Sequence, residues 1–234
     1  MPTHPLQLHL RSLVDPKRAD AAARFFKTGP GETGEGLRFL GLGAATLHRT
    51  AKGFRALPLG EIEHILQSEW HDERAVALLI LGLQFAKADR AARTRIHRLY
   101  LAHRERVDSW ALVDCSAPQL VGAYLIDRSR KLLDRLAKSK RIWDRRIAIV
   151  ATQYLIRKGE FADTLRIAQL LLKDEEDLIH KAVGWMLREV GDRDRATLET
   201  FLREHYASMP RTMLRYAIEK FPEKRRKAYL AGTV

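Results

Sequence analysis

Apolar residues recur along this chain with the period of an α-helix, and the helices themselves recur. Eight stretches place apolar side chains at i, i+3, i+4 and i+7: Leu59–Ser68, Glu73–Lys87, Ala91–Glu105, Arg141–Lys158, Phe161–Leu172, Glu175–Val190, Arg193–His205 and Arg211–Phe221. No stretch alternates with the period of two that a half-buried strand requires. Four of the helices centre on a small residue with apolar flanks, namely Ala77, Ala148, Gly184 and Ala217. Their separations are 71, 36 and 33 residues, and 71 is about two periods of 36. Small residues let neighbouring helices approach closely. A period of roughly 35–45 residues built from helix pairs is the mark of a solenoid of the HEAT or armadillo kind. The sequence therefore predicts an all-α chain. It would form a curved α-solenoid of HEAT-like helical repeats with a concave surface, as one domain over residues 1–234.

Two places break the pattern. The small residue expected near position 112 is missing, and Ser109-Trp110-Ala111-Leu112-Val113-Asp114-Cys115-Ser116-Ala117-Pro118 stands there instead. On a helix Trp110 and Asp114 are i and i+4 and share one face. Ser116 and Pro118 read as the cap and first turn of a following helix. The second break is Thr28–Gly43, which holds six of the chain's 14 glycines. Its Gly29-Pro30-Gly31-Glu32-Thr33-Gly34 formally fits G-x-G-x-x-G. No strand precedes it, no βαβ unit surrounds it and no Gly-Lys-Ser/Thr ending follows, so it reads as a flexible surface loop.

Charge narrows the partner. The chain carries a formal +13, and two segments hold most of it: +7 within Arg128–Arg146 and +4 within Lys220–Lys227. Clustered cations of this kind are the footprint of a phosphate backbone. Cys115 is the only cysteine, which excludes an intrachain disulfide, a cysteine-cluster zinc site and an all-cysteine iron–sulfur cluster. The histidines form no H-E-x-x-H pair. With no apolar run long enough for a membrane helix and no signal-peptide core in its first residues, the chain reads as soluble and cytoplasmic, without membrane, metal or cofactor.

A carboxylate is the wrong sign for merely holding a polyanion, so Asp114 needs another task. Arginines bind phosphates, indole faces attract cations, and a lone carboxylate stabilises a positive transition state. Positive charge develops beside phosphates when an N-glycosidic bond breaks through an oxocarbenium-like sugar. Two more tryptophans, Trp143 and Trp185, lie at the repeat spacing, and Arg188 falls at i+3 from Trp185.

The segment Ser109–Pro118, the run Trp143-x-x-Arg146-x-Ala148-Ile149 and the run Lys181-Ala182-Val183-Gly184-Trp185-x-Leu187-Arg188-Glu189 together resemble the AlkD-type DNA alkylation repair family. The resemblance covers nearly the whole chain, including the region of Phe39-Leu40-Gly41. It implies a HEAT-like-repeat DNA glycosylase that removes cationic alkylated purines, such as 7-methylguanine and 3-methyladenine, from double-stranded DNA. It also implies no deep base-flipping pocket. Matched residue by residue, Asp114, Trp110 and Trp185 are its catalytic group, Arg146 and Arg188 contact DNA, and Phe25 is an aromatic near the lesion strand. No lysine is placed for a Schiff base, so a monofunctional enzyme is expected. A monomer, associated with the nucleoid through DNA, is expected as well. Two other readings compete. One is a non-catalytic helical-repeat scaffold for nucleic acid or protein. The other is a helix-hairpin-helix glycosylase, suggested by Leu40-Gly41-Leu42-Gly43-Ala44-Ala45-Thr46 with Asp72 downstream, although the usual proline of that hairpin is absent.

Overall fold

A computed structural model describes residues 4–234. Its regular structure is helical, apart from a single bridge pair between Arg38 and Trp70. The chain divides into two compact units, Met1–Leu120 and Val121–Val234. The first unit holds α1 (Pro5–Arg11), α2 (Pro16–Phe26), α3 (Ala44–Gly53), α4 (Leu59–Leu66), α5 (His71–Lys87), α6 (Arg90–Ala102) and α7 (Trp110–Ala117). The second holds α8 (Ala123–Leu125), α9 (Lys131–Ala137), α10 (Ile142–Arg157), α11 (Ala162–Leu170), α12 (Asp177–Gly191), α13 (Arg195–His205), α14 (Arg211–Ala217) and α15 (Glu223–Ala231). Among the described residues no helix is long and apolar enough to cross a membrane.

The helix positions are consistent with a repeat that is more regular than the small-residue pattern suggests. Helices α5, α7, α10, α12 and α14 start at residues 71, 110, 142, 177 and 211, intervals of 32 to 39. The position near 112 is therefore occupied, by α7, which packs on α5. What departs there is internal geometry. Residues Pro118–Gly122 continue α7 as a π-helical turn. Proline has no N–H to donate and its ring crowds the preceding turn, so the ordinary ladder widens at that point. The same geometry corrects the expected cap. Ser109, in extended backbone, caps α7 by accepting the Leu112 N–H at 3.2 Å. Ser116 lies buried inside the helix and donates its hydroxyl to the Leu112 carbonyl at 2.5 Å.

Helix α5 is the core of the first unit, packed against α3, α4 and α7. Its first turn, His71-Asp72-Glu73-Arg74, is polar and wholly buried. Buried polar groups are tolerable only when partnered, and each of the four side chains has a partner, although the Nε of Arg74 is left without one. His71 Nε2 meets Ser109 Oγ at 2.9 Å. Asp72 accepts the Leu40 and Leu42 N–H groups, both at 2.9 Å. Glu73 accepts from Gln7 Nε2 at 2.6 Å, Arg11 Nε at 2.7 Å and Ser68 Oγ at 2.6 Å. Arg74 donates to the Ser68 carbonyl at 2.8 Å and to Asp108 at 2.7 Å.

These bonds revise the reading of Thr28–Gly43. Leu37, Phe39 and Leu40 are buried, and Asp72 ties down the backbone beyond them. Gly41 adopts φ +80°, and a Cβ there would stand 2.3 Å from the Asp15 carbonyl oxygen. Only glycine satisfies both conditions. The second half of the segment is thus a packed strap rather than a flexible surface loop. Asp72 is its buried anchor, which leaves that carboxylate no part in hairpin-type chemistry.

One pH effect follows. Burial, reinforced by the neighbouring Arg74 cation, pushes the His71 pKa down to about 3. Below its ordinary value of about 6.5 the unfolded chain takes up a proton that the folded chain refuses. The stability contributed by neutral His71 is therefore complete above pH 6.5 and is lost as pH falls toward 3. The slope approaches ~1.4 kcal/mol per pH unit for this one proton. Denaturant melts of the parent and of His71→Gln between pH 7 and 4 check this. The parent should lose stability more steeply, and equal slopes would remove His71 as the cause.

In the second unit, α12 packs on α10 and α14. Helices α12 and α14 approach closely at Gly184, where a Cβ would lie 2.5 Å from both the Met213 carbonyl oxygen and the Tyr216 Cβ. Arg130 and Arg166 both pair with Asp163, Arg130 also with Glu160 and Arg166 with Asp134, lashing α9 to α11.

Candidate functional site

The first unit gathers its aromatic residues around the start of α7. Phe26 lies parallel to the Trp110 indole, with ring centres 4.9 Å apart and planes 9° from parallel. Phe25 meets the same indole edge-on at 5.7 Å and is itself 69 % exposed. Behind Phe26 stand Phe39 at 4.9 Å and His71 at 5.2 Å. Phe26 thus covers one indole face, so an incoming group can meet Trp110 only on its other face or at its edges. Trp110 and Asp114 are both half-buried, one turn apart on the same side of α7. The structure therefore brings Phe25, Trp110 and Asp114 together on the surface of one unit. It adds Phe26, which the sequence reading passed over in favour of its neighbour. Adjacent residues on a helix differ by about 100° in direction, and near a helix end both Phe25 and Phe26 reach the indole.

The second unit carries the remaining candidates. Trp185 is half-buried on α12, its indole N–H donating to Glu189 at 3.3 Å. Trp143, by contrast, is a core residue at 7 % exposure. Arg146 is only 5 % exposed, and its Nη1 donates to the Leu178 carbonyl at 2.6 Å, bracing the first turn of α12. Arg188 is paired with Glu219, yet its Nε is buried with no hydrogen-bond partner.

Arg188 also lines a groove of about 710 Å³ with Lys181, Arg215, Tyr216 and Arg226. The anions in it, Asp177 and Glu219, are each already paired, with Lys181 at 2.7 Å and with Arg188. Arg215 and Arg226 are exposed and have no side-chain partner among the described residues. The two unneutralised guanidiniums, Arg215 and Arg226, give the groove the chemistry to accept anionic oxygen. Sequence reading located the charge of α15 but could not tell which cations were spent on ion pairs. Among the described residues no cluster of His, Cys, Asp or Glu is placed to hold a metal ion.

Comparison with known proteins gives a family and a similar fold. The model of the family described as DNA alkylation repair enzyme matches residues 6–221, across both units. A solved structure from Enterococcus faecalis, described as a predicted DNA alkylation repair enzyme, has a similar fold, with a TM-score of 0.70 at 17 % identity. The similarity covers 90 % of this chain and 97 % of that one. Among curated proteins none matches.

Proposed function

The chain belongs to the DNA alkylation repair enzyme family, and from that premise we propose that it is a monofunctional DNA glycosylase acting on cationic alkylated purines in duplex DNA. In this reading residues 1–234 work as a single HEAT-like-repeat domain with a curved, concave DNA-binding face. The observation that carries the proposal is the shared face of Trp110 and Asp114 on α7, with the indole plane fixed by Phe26. A purine such as 7-methylguanine is already positively charged, so it departs with the electron pair of the glycosidic bond and becomes neutral without a general acid. The sugar takes up the positive charge. Asp114 stabilises that charge and orients a water, whose oxygen bonds to the anomeric carbon while its proton passes to the carboxylate or to solvent. The exposed face of Trp110 favours the same cationic sugar. Trp185 is assigned the second indole of the reaction, and Phe25 a contact to the lesion strand.

Phosphate binding falls to the second unit. Arg188, Arg215 and Arg226 offer guanidinium donors to backbone oxygens. Arg146, mostly buried, serves binding through the helix it braces. Replacing Arg215 and Arg226 together with alanine should weaken duplex binding regardless of sequence. It should also lower the slope of log K against log salt by about two, near one unit per phosphate contact. Titrations of labelled duplex at several salt concentrations measure this. An unchanged slope would exclude the groove from the DNA contact. The function itself is tested by incubating the chain with methylated and unmethylated duplex and measuring released base. Binding without release would favour the non-catalytic scaffold.

A further inference from the structure

We propose that the buried first turn of α5, His71-Asp72-Glu73-Arg74, is a positioning device for the catalytic face of α7. Four consecutive side chains each hold a different piece of the first unit. Glu73 takes α1, through Gln7 and Arg11, and Asp72 takes the strap at Leu40 and Leu42. Arg74 holds Asp108, and His71 holds Ser109. The last two anchors are consecutive residues immediately ahead of Trp110. The segment that launches α7 is thus gripped at two adjacent points by one helical turn.

The same turn reaches Trp110 from a second side. The His71 ring packs on Phe26 at 5.2 Å and on Phe39 at 4.8 Å, and Phe26 is the ring stacked on the Trp110 indole. His71 therefore fixes both the cap of α7, through Ser109 Oγ, and the plane of the indole, through Phe26. Ser109 is 1 % exposed and its hydroxyl serves the Leu112 N–H as well, so the cap and the histidine share one oxygen. A group acting on a sugar carbon must be held within about 0.5 Å of its working position, by neighbours that are themselves locked. Simple stabilisation of a fold does not require four adjacent buried polar residues. Apolar replacements of similar volume usually serve stability as well or better.

This inference rests on the proposed roles of Trp110 and Asp114, and its test separates the two. In the full chain, His71→Leu removes the bond to Ser109 at similar volume, and His71→Gln keeps a polar atom within its reach. Ser109→Ala removes the other half of the bond and serves if His71→Leu fails to fold. Single-turnover release of 7-methylguanine should slow at least ~10-fold in His71→Leu, while affinity for duplex stays within about 2-fold, and His71→Gln should recover most of the rate. With 5-fluorotryptophan incorporated, the fluorine resonance of Trp110, assigned through Trp110→Phe, should shift or broaden in His71→Leu. The Trp143 resonance should hold. A Trp110 resonance unmoved in His71→Leu overturns the positioning role whatever the activity, as does a rate that falls only in step with affinity. If the parent chain releases no base, the glycosylase reading fails, and the fluorine spectrum alone decides the positioning.

Discussion

Asp114→Asn should abolish release of 7-methylguanine from methylated duplex while leaving duplex affinity within about 3-fold of the parent. The substitution keeps the size and hydrogen-bonding reach of the side chain and removes only its charge. Asp114 is half-buried on the outer side of a helix whose cap, Ser109, and core contacts, Leu112 and Val113, it does not provide. The fold should therefore persist, which circular dichroism would verify. What is lost is attraction between a carboxylate and a sugar that turns positive in the transition state. In a partly desolvated site that attraction is worth several kcal/mol, on the order of 10²–10³ in rate or more. The binding cations lie on other residues, and removing one negative charge from a basic surface cannot weaken attraction to phosphate. Near-parental release by Asp114→Asn would sink the catalytic assignment. Loss of release together with loss of binding would point to a damaged fold instead.

The same residue shows how far a sequence of this kind can be read. The i, i+4 relation of Trp110 and Asp114 needs only that the segment be helical, and α7 satisfies it. Helix positions were legible because the apolar period is a local property. The expected Arg141–Lys158 became Ile142–Arg157, and Arg193–His205 became Arg195–His205. The gap near 112 was misread because a repeat position can keep its helix while losing its small residue, here beside a π-turn that proline imposes. The first turn of α5 was illegible for a different reason. Four charged or polar residues in a row look like a solvated helix end. Their burial depends on Gln7, Arg11, Leu40, Leu42, Asp108 and Ser109, which lie 30 to 66 residues away from the groups they hold. Ion pairing was hidden likewise. Arg188 and Arg215 read alike as basic residues, and only packing shows that the first is paired with Glu219 while the second is not. Phe26 could have been suspected from its place beside Phe25, but which of the two rings lies flat on the indole is a tertiary fact.

Alanine at two helical glycines should move stability in opposite directions, and the pair isolates what the small-residue repeat is for. Gly82 and Gly184 both sit inside long helices, α5 and α12. Alanine in a helix interior gains up to about 1 kcal/mol over glycine, because less backbone entropy is lost on folding. At Gly82 a new Cβ meets nothing within 4 Å. Gly82→Ala should therefore show that gain nearly undiminished, as a rise of roughly 2–4 °C in Tm for a chain of this size. At Gly184 the new Cβ would overlap the Met213 carbonyl oxygen and the Tyr216 Cβ, both at 2.5 Å. Neither is the far end of a flexible side chain. Relief requires α12 and α14 to separate, and overpacking of this sort costs about 1–3 kcal/mol, occasionally more. The cost outweighs the propensity gain, so Gly184→Ala should lower Tm. Gly184→Val should lower it further, since valine adds two methyl groups and loses helix propensity as well. Thermal melts of the three variants decide the matter. A Gly184→Ala chain as stable as the parent would mean that the two helices can part freely, and the small residue would then carry no packing role.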